Sequence, residues 1–236
     1  MPFSGAMNVA SDIRAKKPFI HCLMNTVAQA ITANTLLALG AEPAMALHKD
    51  EVAAIAARAD AVLINLGTWD EARAAALAGL PELACPVVLD PVFVQHSPLR
   101  LDIARKVMEA QNLIIKGNAE EMAALAPFIP PHAVRVITGA VNRIEAAGKA
   151  MEIPGGHPLM ASITGMGCAL GGAIAAFACI APDGMAAAEA ALSLFARAGE
   201  RAGQLAYGPG SFAPLFLDAL YAESKIDDDF DPLRHP

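Results

Sequence analysis

Three short and almost wholly apolar runs, 61–66 (AVLINL), 86–89 (PVVL) and 113–115 (LII), are separated by stretches with helical spacing. A strand that is apolar at every position must be covered on both faces, which happens when crossover helices pack on either side of a parallel sheet. That pattern constrains the chain more than any other feature. Residues 18–22, 44–47 and 134–137 read as further strands, and 27–39, 71–80 and 101–111 as the helices between them. Asp50 reads as the cap of a helix that follows it. The pattern then changes to a hairpin over 144–153, followed by three helices at 167–180, 185–207 and 214–222. The expectation is an α/β fold with a mostly parallel central sheet, helices on both faces and right-handed crossovers.

The chain has 236 residues, enough for one α/β domain and too few for two comfortable ones. No internal repeat or linker composition interrupts it, so one domain over 1–236 is expected, with the acidic stretch 225–236 as a frayed tail. Apolar residues make up 55% of the chain and aromatic ones 5%, which suits alanine-lined helices packed closely on a sheet. A net charge of −7 excludes the basic face that nucleic-acid binding needs. The longest apolar run, 167–181, is broken by glycines and closed by Pro182. It is shorter than the roughly 20 residues of a membrane span and reads as a core helix. The four cysteines, Cys22, Cys85, Cys168 and Cys179, lack metal-ligand spacing. Free thiols in a reducing cytoplasm are expected.

In open α/β sheets, ligands bind beyond the carboxyl ends of the strands, and the informative residues of this sequence fall there. Ser162-Ile163-Thr164-Gly165-Met166-Gly167-Cys168 opens directly into an Ala/Gly-rich helix. Its glycines admit close backbone approach, and the amides of a helix N-terminus favour an anion such as a transferring phosphoryl group. Cys168 falls in the first helical turn, where a thiolate is favoured. The same spacing also reads as a tight turn before a buried, inert cysteine. Leu89-Asp90-Pro91-Val92 places an acid after a buried strand, either facing a ligand or metal or shaping a turn. Lys116-Gly117-Asn118-Ala119-Glu120-Glu121 offers a cation, a glycine and carboxylates able to serve phosphate and Mg²⁺ together. Asn118 followed three residues later by Glu121 is equally the pattern of a capping box. Thr138-Gly139 can meet a nucleotide phosphate. Asn25 can bond a small substrate or satisfy backbone. The histidines 48, 96, 132, 157 and 235 show no paired metal spacing, and Trp69 reads as packing at a helix start.

Taken in order, the segments HCLMNTV, ITANTLLALGAEPAMA, INLGTW, VVLDPV, KGNAEEMAALA, ITG, GGHPL, ITGMGCALGGAIAAF and YGPGSF resemble the hydroxyethylthiazole kinase family of ribokinase-like proteins. The resemblance runs from about residue 18 to 221. It implies ATP-dependent, Mg²⁺-dependent phosphorylation of the primary alcohol of 4-methyl-5-(2-hydroxyethyl)thiazole in thiamine salvage. By resemblance, Cys168 matches the family's catalytic cysteine, and Asn25, Met45 and Gly165 match substrate-contacting positions. Thr138 matches an ATP-contacting position, with Lys116 and Gly167 beside the phosphates, and Asp90 and Glu121 match the acids associated with Mg²⁺. A homotrimer with the thiazole site between subunits is also implied. The chain departs from the family pattern where DPVGxGAT reads Asp90-Pro91-Val92-Phe93-Val94-Gln95-His96-Ser97. It departs again at Lys116, usually arginine, at Met166, usually a smaller residue, and in the short connection 127–135. These departures fall on the nucleotide half of the site. They leave open a related kinase of another small vitamin-precursor alcohol, or a thiazole-binding relative that transfers no phosphate.

Overall fold

A computed structural model describes residues 4–225; the acidic segment expected to fray lies outside them from residue 226 onward. Eight strands form one sheet in the order β2-β1-β3-β4-β5-β6-β7-β8. They are β1 (Phe19–Leu23), β2 (Glu42–Ala44), β3 (Ala61–Asn65), β4 (Val87–Asp90), β5 (Leu113–Asn118), β6 (Val134–Thr138), β7 (Asn142–Ala146) and β8 (Lys149–Ile153). The first six pair in parallel, and β7 and β8 close the sheet as an antiparallel hairpin.

Strand alternation divides the core into two layers. Ile20, Cys22, Leu63, Val88, Ile114 and Val136 face one side, where they meet α1 (Ser4–Lys16), α2 (Gln29–Leu39), α7 (Met166–Ala178), α8 (Gly184–Leu205) and α9 (Pro209–Glu223). Leu23, Val62, Ile64, Leu89 and Ile115 face the other, covered by α3 (Val52–Ala56), α4 (Glu71–Ala78), α5 (Pro98–Val107) and α6 (Ala119–Leu125). The all-apolar strands are thus covered on both faces, as their composition requires.

The expected elements are present, with shifted ends and one addition. Helix α1 was not foreseen from the sequence; Ala10 and Ile13 anchor it to the core. Strand β2 ends at Ala44 rather than running over 44–47. Asp50 does not cap α3, because its carboxylate lies at the surface on Lys49, 2.6 Å away, and Glu51 occupies the cap position without a side-chain bond. Trp69 does pack at a helix start, under the Arg73 guanidinium that opens α4.

Two glycines let α7 approach its neighbours. Gly165 adopts φ +83°, and an added methyl group would lie 2.8 Å from both Ala28 Cβ and Ile31 Cγ2. Gly172 lets the helix close on α2, where a Cβ would fall 2.9 Å from Thr32 Cγ2. The approach carries the N-terminus of α7 to the carboxyl ends of β1, β3 and β4.

Candidate active site

The parallel strands end on polar residues that converge below that helix. Asn65, the last residue of β3, is fully buried and joins the cluster. Its Oδ1 accepts from Asn25 Nδ2 at 2.8 Å and from the Gly67 amide at 3.0 Å. Its Nδ2 donates to Asp90 Oδ2 at 2.6 Å and reaches Cys168 Sγ at 3.1 Å. Asn25 Nδ2 lies 3.8 Å from the same sulfur, and Asn25 Oδ1 accepts from the Ala28 amide at 3.0 Å, fixing the entry to α2. Asparagine suits this hub because one amide supplies two donors and a two-fold acceptor.

Asp90 is 1% exposed and pairs with Lys116 Nζ at 2.9 Å. Lys116 also donates to the Gly167 carbonyl at 3.0 Å, tying β5 to the first turn of α7. Burial by itself would lower the Lys116 pKa; Asp90 outweighs it, with help from Cys168 and Glu121, so the value lies above the usual lysine range. The thiolate expected at Cys168 does not form. Burial pushes its pKa up, Asp90 pushes it further, and Lys116 and Asn65 offset only part of the rise, leaving it at about 11. Cys168 is a thiol at neutral pH.

Glu121 bonds the amides of Asn118 at 2.8 Å and Phe93 at 2.9 Å, while Asn118 Oδ1 accepts from the Glu121 amide. The capping box read from the sequence is therefore formed. Its carboxylate also pins the 91–97 loop, where Phe93 takes φ +58° and leaves its ring 58% exposed. Thr138 Oγ1 donates to the Gly117 carbonyl at 3.3 Å. Thr138 and Gly167 line a cavity of about 550 Å³ together with Gly139, Asn142, Met166 and Leu170. Its size is in the range of small-molecule and cofactor sites. A larger cavity of about 690 Å³ between α4 and α5, of mixed apolar and charged lining, touches none of the residues in the polar cluster.

Asn25, Asp90, Lys116, Gly167 and Cys168 are thus brought into one bonded cluster. Glu121 and Thr138 stand at its β5–β6 side, and Gly165 sets the approach of α7. Met45 follows β2 at the same rim, half-buried and packed on the core, and joins no bond of the cluster. Two buried polar residues next to this cluster, Asn65 and Arg73, were not singled out from the sequence. The available signals were an asparagine ending an otherwise apolar strand, and an arginine three residues after the Asp70 that caps α4.

Among the described residues no three His, Cys, Asp or Glu side chains cluster as a ready metal site. Asp90 and Glu121 fit Mg²⁺ through water. Their oxygens accept from Lys116, Asn65 and the Phe93 and Asn118 amides, and Mg²⁺, which keeps much of its water shell, does not need them as direct ligands.

This three-layer arrangement is the ribokinase-like α/β fold. A ribokinase-like superfamily protein from Enterococcus faecalis V583 shares the fold, with a TM-score of 0.64 at 14% identity over 94% of this chain and 98% of that one. The chain belongs to the hydroxyethylthiazole kinase family, whose model matches residues 10–129 and 131–225. A hydroxyethylthiazole kinase of Granulibacter bethesdensis is 39% identical over 238 residues, covering 89% of this chain and 87% of that protein. One from Klebsiella pneumoniae strain 342 is 39% identical over 239 residues, covering 89% and 93%. The solved hydroxyethylthiazole kinase protein of Pyrococcus horikoshii OT3 superposes with a TM-score of 0.86 at 30% identity, covering 93% of this chain and 94% of that one. Among the described residues no helix is long and apolar enough to cross a membrane.

Proposed function

We propose that this kinase transfers the γ-phosphoryl group of ATP, with Mg²⁺, to the hydroxyethyl alcohol of 4-methyl-5-(2-hydroxyethyl)thiazole in thiamine salvage. The observation that carries the reading is the bonded cluster of Asn25, Asn65, Asp90, Lys116 and Cys168 under the α7 N-terminus. It stands between the β1–β2 rim and the cavity beside Thr138. ATP is assigned to that cavity, with its phosphates toward Gly167 and Lys116. The acceptor is assigned to the side of Asn25, Met45 and Gly165. Bound Mg²⁺, held through water by Asp90 and Glu121, would neutralise phosphate charge.

In this scheme the acceptor oxygen forms the new bond to the γ-phosphorus as the bond to the bridging oxygen breaks and ADP leaves. The amides opening α7 stabilise charge on the equatorial oxygens, and Lys116 holds that turn in place. Cys168, a thiol, orients the acceptor hydroxyl and is no strong base; the proton of that hydroxyl passes to a phosphate oxygen as the O–P bond forms. Positioning and electrostatics carry the rate. Cys168→Ala is expected to lower kcat with little change in acceptor affinity, and Cys168→Asp to retain or raise it. The chain is further proposed to act as one domain, in the cytoplasm, as a homotrimer.

The test is ADP release by the purified protein with MgATP, with and without the thiazole. Thiazole-dependent release supports the reading, and its absence despite demonstrated thiazole binding refutes it. One feature favours a second reading, a different alcohol acceptor: Phe93 and Gln95 replace glycines in the loop after Asp90. A panel of hydroxymethylpyrimidine and pyridoxal-like alcohols in the same assay separates the two.

A further inference from the structure

Arg73 lies in the first turn of α4, 3% exposed, and no carboxylate lies within ion-pair distance of its guanidinium among the described residues. Its N–H groups instead go to main-chain carbonyls of one turn. Nη2 donates to Asn65, and Nη1 to Gly67 and, at 3.2 Å, to Thr68. The plane of the group lies over the Trp69 ring, 5.0 Å from its centroid, and Nε has no hydrogen-bond partner. Burying a cation with no ion-pair partner is costly, and burial pulls the Arg73 pKa down to about 10, with Asp70 offsetting only part of the fall. The gripped turn is itself strained, since Thr68, a β-branched residue, takes φ +44°. A surface loop that only joined β3 to α4 would need neither feature.

What the turn carries is Asn65. Its carbonyl is held by Arg73, and its side chain spans Asn25, Asp90 and Cys168. A planar guanidinium can hold several carbonyls at once, whereas an ammonium is a single point donor. We propose that Arg73 is a positioning residue of this site: by clamping the carbonyls of residues 65–68 it fixes Asn65 between Asp90 and Cys168. Transfer then depends on a side chain that touches neither substrate. The proposal rests on the kinase reading of the cluster.

The test uses the full chain and a kinetic cycle of Arg73→Lys, Asn65→Ala and the double variant. Arg73→Lys is expected to lower thiazole-dependent kcat by about 10-fold or more, with KM for ATP little changed, because small displacements at a reacting centre are costly. In the Asn65→Ala background the same change should cost less than about two-fold, since its effect passes through the residue already removed. A merely structural role predicts the same fold-loss in both backgrounds, and that result overturns the proposal. So does an Arg73→Lys enzyme with wild-type kcat. A second readout needs no turnover. Arg73→Met removes the donors to the carbonyls of Asn65, Gly67 and Thr68, so amide hydrogen exchange over residues 65–68 should speed several-fold while that of β5 is unchanged. Unchanged exchange over 65–68 overturns the clamp even if the wild-type protein shows no kinase activity, an outcome that would separately reject the kinase reading.

Discussion

Replacing Asp90 by asparagine isolates the most costly electrostatic element of the site. The Lys116–Asp90 pair spans 2.9 Å with side chains 6% and 2% exposed, so water cannot take over for a missing partner. Removing one member of such a pair leaves an uncompensated buried charge and costs about 3–5 kcal/mol. That is a large share of the roughly 5–15 kcal/mol that holds a domain together. Asparagine preserves shape and can still accept from Asn65, so little of the loss comes from packing. Lys116→Met strips the cation instead and leaves Asp90 with the Asn65 bond alone. The double variant Asp90→Asn, Lys116→Met contains no unpaired charge and should recover at least about 2 kcal/mol relative to the sum of the single losses. Urea unfolding at pH 7.5, with slopes compared to verify a common transition, measures all four proteins. A loss below about 1 kcal/mol for Asp90→Asn, or strictly additive losses in the double variant, would refute the argument that this pair is buried and coupled. The double variant should be inactive despite its recovered stability, which separates the pair's structural role from its place beside the phosphates.

Gly165→Ala should destabilise by about 2–4 kcal/mol, combining left-handed strain with the overlap on Ala28 and Ile31, and a thermal melt no lower than wild type contradicts it. Phe93→Gly should leave stability equal or raised by up to about 1 kcal/mol, because relief at φ +58° outweighs the added chain entropy and the ring is exposed; a clear loss in urea unfolding contradicts it. Stability should hold from neutral pH to about 9 and fall above it. Burial raises the pKa of Cys22 and Cys179 to about 12, and burial with Asp90 raises Cys168 to about 11, while the unfolded thiols titrate near 9.0. The folded chain keeps protons that the unfolded chain releases, so the stabilisation is complete below pH 9 and lost toward 11–12. Lys116, also raised, adds to the loss above its ordinary 10.5. Unfolding at pH 8, 9 and 10 tests the sign, and a rise in stability across that series is the contrary result.

The parallel half of the sheet was legible because continuous apolar strands have few other solutions. The capping box at Asn118 and Glu121 was legible because its spacing names both partners. Helix starts were less so. Helix α5 begins at Pro98 behind the Ser97 cap, three residues before the expected start, since proline fits a first turn. Helix α9 likewise opens at Pro209 and tolerates Pro214 inside, so reading Pro214 as its start truncated it. In the site, the residues at strand ends were visible one by one. Asn65 was absorbed into an apolar run, and nothing set Arg73 apart within the 71–80 helix. Their importance lies in bonds between segments distant in sequence, which no local pattern encodes. The Cys168 thiol shows the same limit: its helix position favours a thiolate, but burial and Asp90, 78 residues away in sequence, decide otherwise.

The two outer strands bear on how copies of this chain can meet. Strand β2 is only three residues long and has Pro43 at its centre, which offers no N–H for a further strand. At the opposite margin β8 carries Lys149 and Glu152 among its exposed positions. Short length, proline and charge each discourage edge-to-edge pairing. Both margins therefore resist aggregation by strand addition, including the runaway stacking that ends in fibrils, and helix and loop surfaces are the more suitable places for copies to meet.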